Sequence, residues 1–346
     1  MTLNKKMLLI AVSAALAPGL TAAAEGTSIS GFADIIYTVK NDSADNTSAD
    51  GTLNTANGKF GANAEVDFAY QAANAVTFNL DADLDLTAGS TGGTSLGGDS
   101  GRIEQAYFGW KVTDAVTVLG GVFNDPIGYE AEDAPNMNFT SHDVIYNILN
   151  HQTALTGDNV AGIAAAGAIG PVTLTGAVLN ETAQTSEENS FAVVANYAPL
   201  KDLNLELGYV TQADDATRAK SDAIPTPSAG DVIDFNVTYA VAGVNLGLDF
   251  LTADKIVDAA YAVWAGYNFG TSGFGVKARY ENVGWTDEFS TAGDSKRTTL
   301  YASYQVAKNL SAALEIADGD DKNPVSAVTG ITRDNTTTLE FIASFN

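Results

Sequence analysis

The chain has 346 residues, no cysteine, 17 Lys+Arg against 42 Asp+Glu and a formal net charge of −25, yet 45% of its residues are hydrophobic. So acidic a surface repels phosphate backbones and excludes a nucleic-acid-binding role. The lack of cysteine excludes a disulfide framework and a thiolate metal site.

Residues 1–24, MTLNKKMLLIAVSAALAPGLTAAA, carry Lys5 and Lys6, an apolar run from Met7 to about Leu16, and a small-residue close at Ala22-Ala23-Ala24. This predicts a secretory signal peptide cut after Ala24. Two lysines and no acid leave with it, so residues 25–346, read as one exported domain, carry −27. Export without cysteine suits a bacterial envelope better than a disulfide-stapled scaffold.

No later run approaches the length of a membrane-crossing helix, about 18 apolar residues or more. Instead, apolar residues recur at every second position from Ser28 onward. The alternation predicts about sixteen strands, over 28–39, 58–71, 75–88, 102–112, 115–123, 159–168, 172–180, 189–198, 203–212, 231–241, 243–252, 258–269, 273–285, 297–306, 309–318 and 335–345. Tight turns such as TD (113–114), GP (170–171) and AG (242–243) take turns with longer polar loops, of which 124–158 is the longest. Two rims that differ in this way, joined by strands of crossing length, predict an all-β, antiparallel up-and-down transmembrane barrel with short periplasmic turns and long external loops. A secreted β-sandwich or β-solenoid is the rival; neither explains the regular short and long connections.

The faces follow from cost. A charge facing lipid costs up to about 4 kcal/mol near the midplane, so charged rows face the lumen. In VTFNLDADLDL (76–86) that row holds Asp81, Asp83 and Asp85. The preceding strand adds Asn63, Glu65 and Asp67, with Phe60, Val66, Phe68 and Tyr70 turned outward. Strand 273–285 places Lys277, Arg279 and Glu281 inward, and the next strand adds Arg297. Two stretches resist orientation: Glu104 shares parity with Ala106, Phe108 and Trp110, and NVAGIAAAGA (159–168) is too rich in alanine.

The opening strand ISGFADIIYTV and the closing strand TTLEFIASFN, with its penultimate Phe345, resemble the first and last strands of Gram-negative outer-membrane porins. The run GVFNDPIGYEAEDAPNMNFTSHDVIYNILNHQTALTG (121–157) resembles the loop region of the β-barrel porin type 2 family, which carries a comparable PxGYE…APxNxxF pattern. The resemblance implies an outer-membrane channel inserted by the barrel assembly machinery, set among lipid and lipopolysaccharide, forming a homotrimer. The alanine-rich 159–168 offers a flat wall for that contact. It also implies that 124–158 folds inward as a constriction bearing Asp125, Glu130, Glu132, Asp133 and Asp143; the alternative is an external cap over the mouth.

A sixteen-strand barrel is too wide for side chains to fill, so passive diffusion of small hydrophilic solutes is the expected function. Acidic rings favour cations and basic ones anions; acids outnumber bases here, which predicts a weak cation preference. Lys277, Arg279 and Arg297 either set a transverse field against the acidic loop or pair with carboxylates on neighbouring strands. A substrate-specific channel with a binding site in 124–158, and a plugged barrel with a structural or adhesive role, remain as alternatives. An enzyme is not expected. His142 and His151 read as solvent-exposed loop residues, and neither HExxH nor GxSxG occurs. No metal or cofactor is expected either. DGDDKN (318–323) places Lys322 where a calcium loop needs an oxygen, and GSTGGTSLGGDSG (89–101) lacks the ending of a phosphate loop.

Overall fold

The computed structural model describes residues 26–40, 58–72, 75–85, 102–153, 158–182, 187–213, 230–287, 289, 293–320 and 335–345. The predicted signal peptide, the acidic stretch 42–50 and the glycine-rich 89–101 lie outside the described residues.

Sixteen strands follow in order: β1 (Gly26–Lys40), β2 (Lys59–Ala72), β3 (Val76–Asp85), β4 (Arg102–Lys111), β5 (Val116–Asn124), β6 (Asn159–Ile169), β7 (Val172–Asn180) and β8 (Asn189–Leu200). They continue as β9 (Leu203–Val210), β10 (Val232–Val241), β11 (Val244–Ala253), β12 (Val257–Asn268), β13 (Phe274–Trp285), β14 (Ser295–Ala307), β15 (Leu310–Asp320) and β16 (Thr336–Phe345). Each pairs antiparallel with the next, and β16 returns to β1, so the sheet closes. Closure leaves no unpaired strand edge, the condition for a sheet to stand in hydrocarbon. At the seam the Phe345 ring covers Gly31, where an added Cβ would lie 2.9 Å from it.

The register pairs like rows with like. Glu65 lies opposite Asp83, Asp67 opposite Asp81 and Asn63 opposite Asp85, while Phe68 meets Leu80 and Tyr70 meets Phe78 on the other side. Phe60, Phe68, Tyr70, Phe78 and Leu84 are exposed on that outer surface. In β13, Phe274 and Tyr280 face outward while Arg279 and Glu281 are buried inward. The short rim is tight. At the β10–β11 hairpin, Ala242 and Gly243 both take left-handed backbone (φ 50° and 86°), the geometry that a two-residue turn needs to follow the strand twist.

The parity conflict in 102–112 has a structural cause. The β3–β4 register passes from Asp81 opposite Gln105 to Ala82 opposite Ile103, leaving Glu104 as the extra residue of a bulge. A bulge shifts the alternation by one. Ile103 and Phe108 therefore both face outward, and Glu104 turns in beside Gln105. In β6 the even positions Ala164 and Ala166 are buried, and Ile163 and Ile169 are exposed.

The connection from β5 to β6 is not an external cap. It carries one helix, α1 (Val144–Gln152), which packs against β11, β12 and β13 inside the barrel. The inward rows are not polar throughout: toward the long-loop rim they turn apolar, through Phe123 (β5), Leu179 (β7), Val194 (β8), Leu251 (β11), and Val283 and Trp285 (β13). These residues form one cluster with Val144, Ile145, Ile148 and Leu149 of α1. An apolar surface removed from water contributes roughly 25 cal/mol per Å², so this cluster holds the loop where a polar lumen would not.

Candidate functional site

The loop 125–158 is built from its root inward. The Asp125 N–H donates to the Asp158 carbonyl at 2.7 Å, tying its two limbs together where they leave the wall. The descending limb then runs along β9–β12. Ile127 seats on Gly208, where any Cβ would lie 2.3 Å from Ile127 Cγ2. Tyr129 stacks on Trp264 of β12, ring centroids 6.3 Å apart.

Beyond Ala131 the loop reaches the opposite wall. The Glu132 carboxyl comes within hydrogen-bond reach of Glu104, and that of Asp133 within reach of Glu65. Burial pushes both loop carboxyls upward, and neighbouring acids add to the shift: Glu104 for Glu132 and Asp67 for Asp133. Oxygens of Glu65, Asp83 and Glu104 lie within 4.8 Å of one another. The acids Glu65, Asp67, Asp81 and Asp83 that alternation placed inward are thus gathered with two loop acids, Glu132 and Asp133.

The return limb crosses to β13–β16. Phe139 packs on Tyr301, centroids 5.6 Å apart, with Arg279 Cζ 4.5 Å from the Phe139 ring. The N–H groups of Thr140 and Ser141 both donate to Glu315 Oε2, at 2.9 and 3.2 Å, and the Thr140 hydroxyl donates to Glu340 Oε2 at 2.7 Å. Lys277 Nζ donates to the Asn138 carbonyl at 2.6 Å. At the centre stands Glu281, 0% exposed. Arg297 donates to both its oxygens, Nε to Oε2 at 2.6 Å and Nη2 to Oε1 at 2.8 Å. Arg279 Nε lies 3.1 Å away, and the Val144 N–H at the start of α1 donates to Oε1 at 2.9 Å. The guanidiniums also hold loop carbonyls: Arg279 donates to Ser141 O at 2.9 Å, and Arg297 to His142 O.

Glu130 and Asp143 complete the knot. Glu130 sits 3.6 Å from Arg279 Nη1 and accepts the Asp143 N–H at 2.6 Å. Asp143 caps α1, its Oδ1 accepting the Tyr146 N–H at 2.9 Å. Burial, reinforced by the Glu130 charge, pushes the Asp143 carboxyl up to about 8.

Of the two alternatives for the inward bases, pairing is what Arg297 shows: Arg279 and Arg297 are both buried in the contact between wall and loop, and Arg297 pairs with Glu281 on the adjacent strand. One expectation changes. The histidines are not solvent-exposed loop residues. His151 is buried on the last turn of α1, and His142 stacks on Tyr146 at 3.8 Å between centroids. Of the five loop acids, Glu132 and Asp133 meet the acidic wall, Glu130 and Asp143 belong to the arginine knot, and Asp125 lies at the root. Glu104, Glu281, Glu315 and Glu340 were not singled out as site residues by sequence reasoning; Glu281 and Glu315 sit on inward rows readable from the alternation, whereas the bulge hid Glu104.

A closed sixteen-strand barrel with apolar outer rows, acidic inner rows and a long loop folded into its interior is an outer-membrane channel for solute diffusion. The Gram-negative porin family model matches residues 10–324, and the chain belongs to that family. Among solved structures it resembles Salmonella typhi OmpF in complex with daunomycin, with TM-score 0.70 and 13% identity over 93% of this chain and 98% of that one. It also resembles an anion-selective porin from Comamonas acidovorans, with TM-score 0.60 and 11% identity over 93% and 100% of the two chains. A loop-deleted OmpT of Vibrio cholerae is similar too, with TM-score 0.59 and 12% identity over 93% and 100%. No curated protein matches the sequence.

Proposed function

We propose that the channel passes small hydrophilic solutes and ions passively and prefers cations weakly. The observation that carries this reading is the division of charge across the loop. The bases Arg279 and Arg297 are consumed in holding it to the wall. Glu132 and Asp133 instead join Glu65, Asp67, Asp81 and Asp83 on the opposite side. Charge acts over about 8 Å at physiological salt, so an acidic patch beside a narrow passage enriches cations there.

Reversal potentials across planar bilayers in a KCl gradient test the preference. At a pH high enough to ionise the raised loop carboxyls, the wild type should favour potassium, and the double variant Glu132→Gln, Asp133→Asn should lower the cation-to-anion permeability ratio. A variant ratio equal to that of the wild type would refute the assignment. The pH dependence has a definite sign. Because burial and like charge raise both loop carboxyls, they remain protonated above the ordinary carboxylate range. The cation preference should therefore keep growing as pH rises beyond the ordinary carboxylate range, in the same measurement.

A saturable, solute-specific channel predicts current block by one solute class, and a plugged barrel predicts no current at all; neither is favoured by a particular contact in the loop. The reading further includes a homotrimer in lipid and lipopolysaccharide, delivered by the barrel assembly machinery after removal of residues 1–24, with no catalytic activity. The outward Ile163 and Ile169 of β6 offer apolar contacts for that assembly. Chemical cross-linking in native membranes should yield a ladder ending at three chains.

A further inference from the structure

Behind the descending limb of the loop, the wall of β9–β11 carries a second acidic group that the channel reading does not use. Asn236 lies directly opposite Glu206 on one side and Asp249 on the other. Its Nδ2 donates to Glu206 Oε1 at 3.2 Å and to Asp234 Oδ1 at 3.3 Å. Asp234 and Asp249 are within hydrogen-bond reach of each other, and the Gly128 backbone of the loop lies close to Asp234. Asp234 and Asn236 are 0% exposed and Asp249 2%. Among the described residues, Asp234 Oδ2, Asn236 Oδ1 and both oxygens of Asp249 are buried with no hydrogen-bond partner. The charges that bear on Asp249 come from Asp234, Asp143 and Glu206, all acidic.

This is a surplus of buried acceptors over donors, and buried acceptors left unsatisfied are costly. A proton shared between the two aspartates supplies one donor to one pair of oxygens. It leaves the neutral amide oxygen of Asn236 still without a partner. A hard cation satisfies several oxygens at once, and calcium takes six to eight in a flexible shell that mixes carboxylate, amide and backbone oxygens. We infer that Asp234, Asn236 and Asp249 form a calcium-binding site in the barrel wall, beneath the loop limb around Gly128. The inference does not rest on conduction: a barrel that passed no current would still bind the ion here.

Trp264 offers a local reporter. Its indole lies on Gly247, where a Cβ would be 2.1 Å from Nε1, one step along the inward row from Asp249. Terbium, used as a calcium surrogate, should be sensitised by Trp264 in chelator-treated full-length protein in detergent micelles, and calcium should displace it. Asp249→Asn should reduce that emission about tenfold or more. Trp264→Phe should abolish the emission while calorimetry with calcium still reports the site. Asp83→Asn, in the other acidic group, should leave the Trp264 signal in place. Heat-modified gel mobility establishes that each variant folds; should Asp249→Asn not fold, calcium competition on the wild type decides alone. Emission that calcium does not displace, or that survives in folded Asp249→Asn, would overturn the site. A wild type silent at neutral pH would assign the pair a shared proton instead.

Discussion

Replacing Glu281 with alanine should release the inner loop from the wall while leaving the barrel folded. The side chain is fully buried and joins Arg297, Arg279 and the Val144 N–H at the start of α1. Removing one partner of a buried ion pair costs about 3–5 kcal/mol, because the remaining charges stay buried without compensation. Here Arg297 would lose its carboxylate partner and Arg279 would keep only Glu130, and both guanidiniums also hold loop carbonyls. A shift of that size moves the docking equilibrium by roughly two to four powers of ten. The sixteen strand pairings do not involve the carboxylate, so gel mobility of the unheated barrel should be unchanged. Limited proteolysis should cut the variant within 125–158 and spare the wild type. Equal resistance in both would mean that the knot does not hold the loop.

Substituting Ile148 tests the other anchor. Ile148 is 0% exposed and belongs, with Val144, Ile145 and Leu149, to the apolar cluster through which α1 meets the wall. Ile148→Ala should weaken docking by about 2–5 kcal/mol, from lost transfer energy and the cavity left behind. Ile148→Asp should be worse, since it buries a charge with no partner among apolar side chains. The two variants should rank in that order in protease susceptibility of the loop. Identical susceptibility of wild type and Ile148→Asp would place α1 in water rather than against the wall.

The barrel was legible in the sequence because two simple rules act along its whole length. Period-two alternation marks strands, and a charge facing lipid costs too much to be tolerated, so VTFNLDADLDL orients itself. The rules failed where the physics changed. At Glu104 a bulge added a residue, and no single-strand pattern distinguishes a bulge from a misplaced acid. Toward the long-loop rim the inner rows turned apolar because they face a helix and not water. The trace of this was present in β11, where inward Asn245, Gly247 and Asp249 give way to Leu251 and Ala253, and in β13, where Glu281 gives way to Val283 and Trp285. Read alone, such residues look like irregular alternation; only pairing in space shows them to be one surface. The fate of the arginines was likewise open, because alternation places a side chain inside without saying what it meets there.

Single-channel recording in planar bilayers tests the account most directly, comparing wild type with Glu281→Ala. The wild type should show discrete conductance steps, and the variant should show larger and noisier ones as the loop leaves the passage. Absence of current from correctly folded wild type, or steps of the same size in both proteins, would contradict a channel narrowed by this loop.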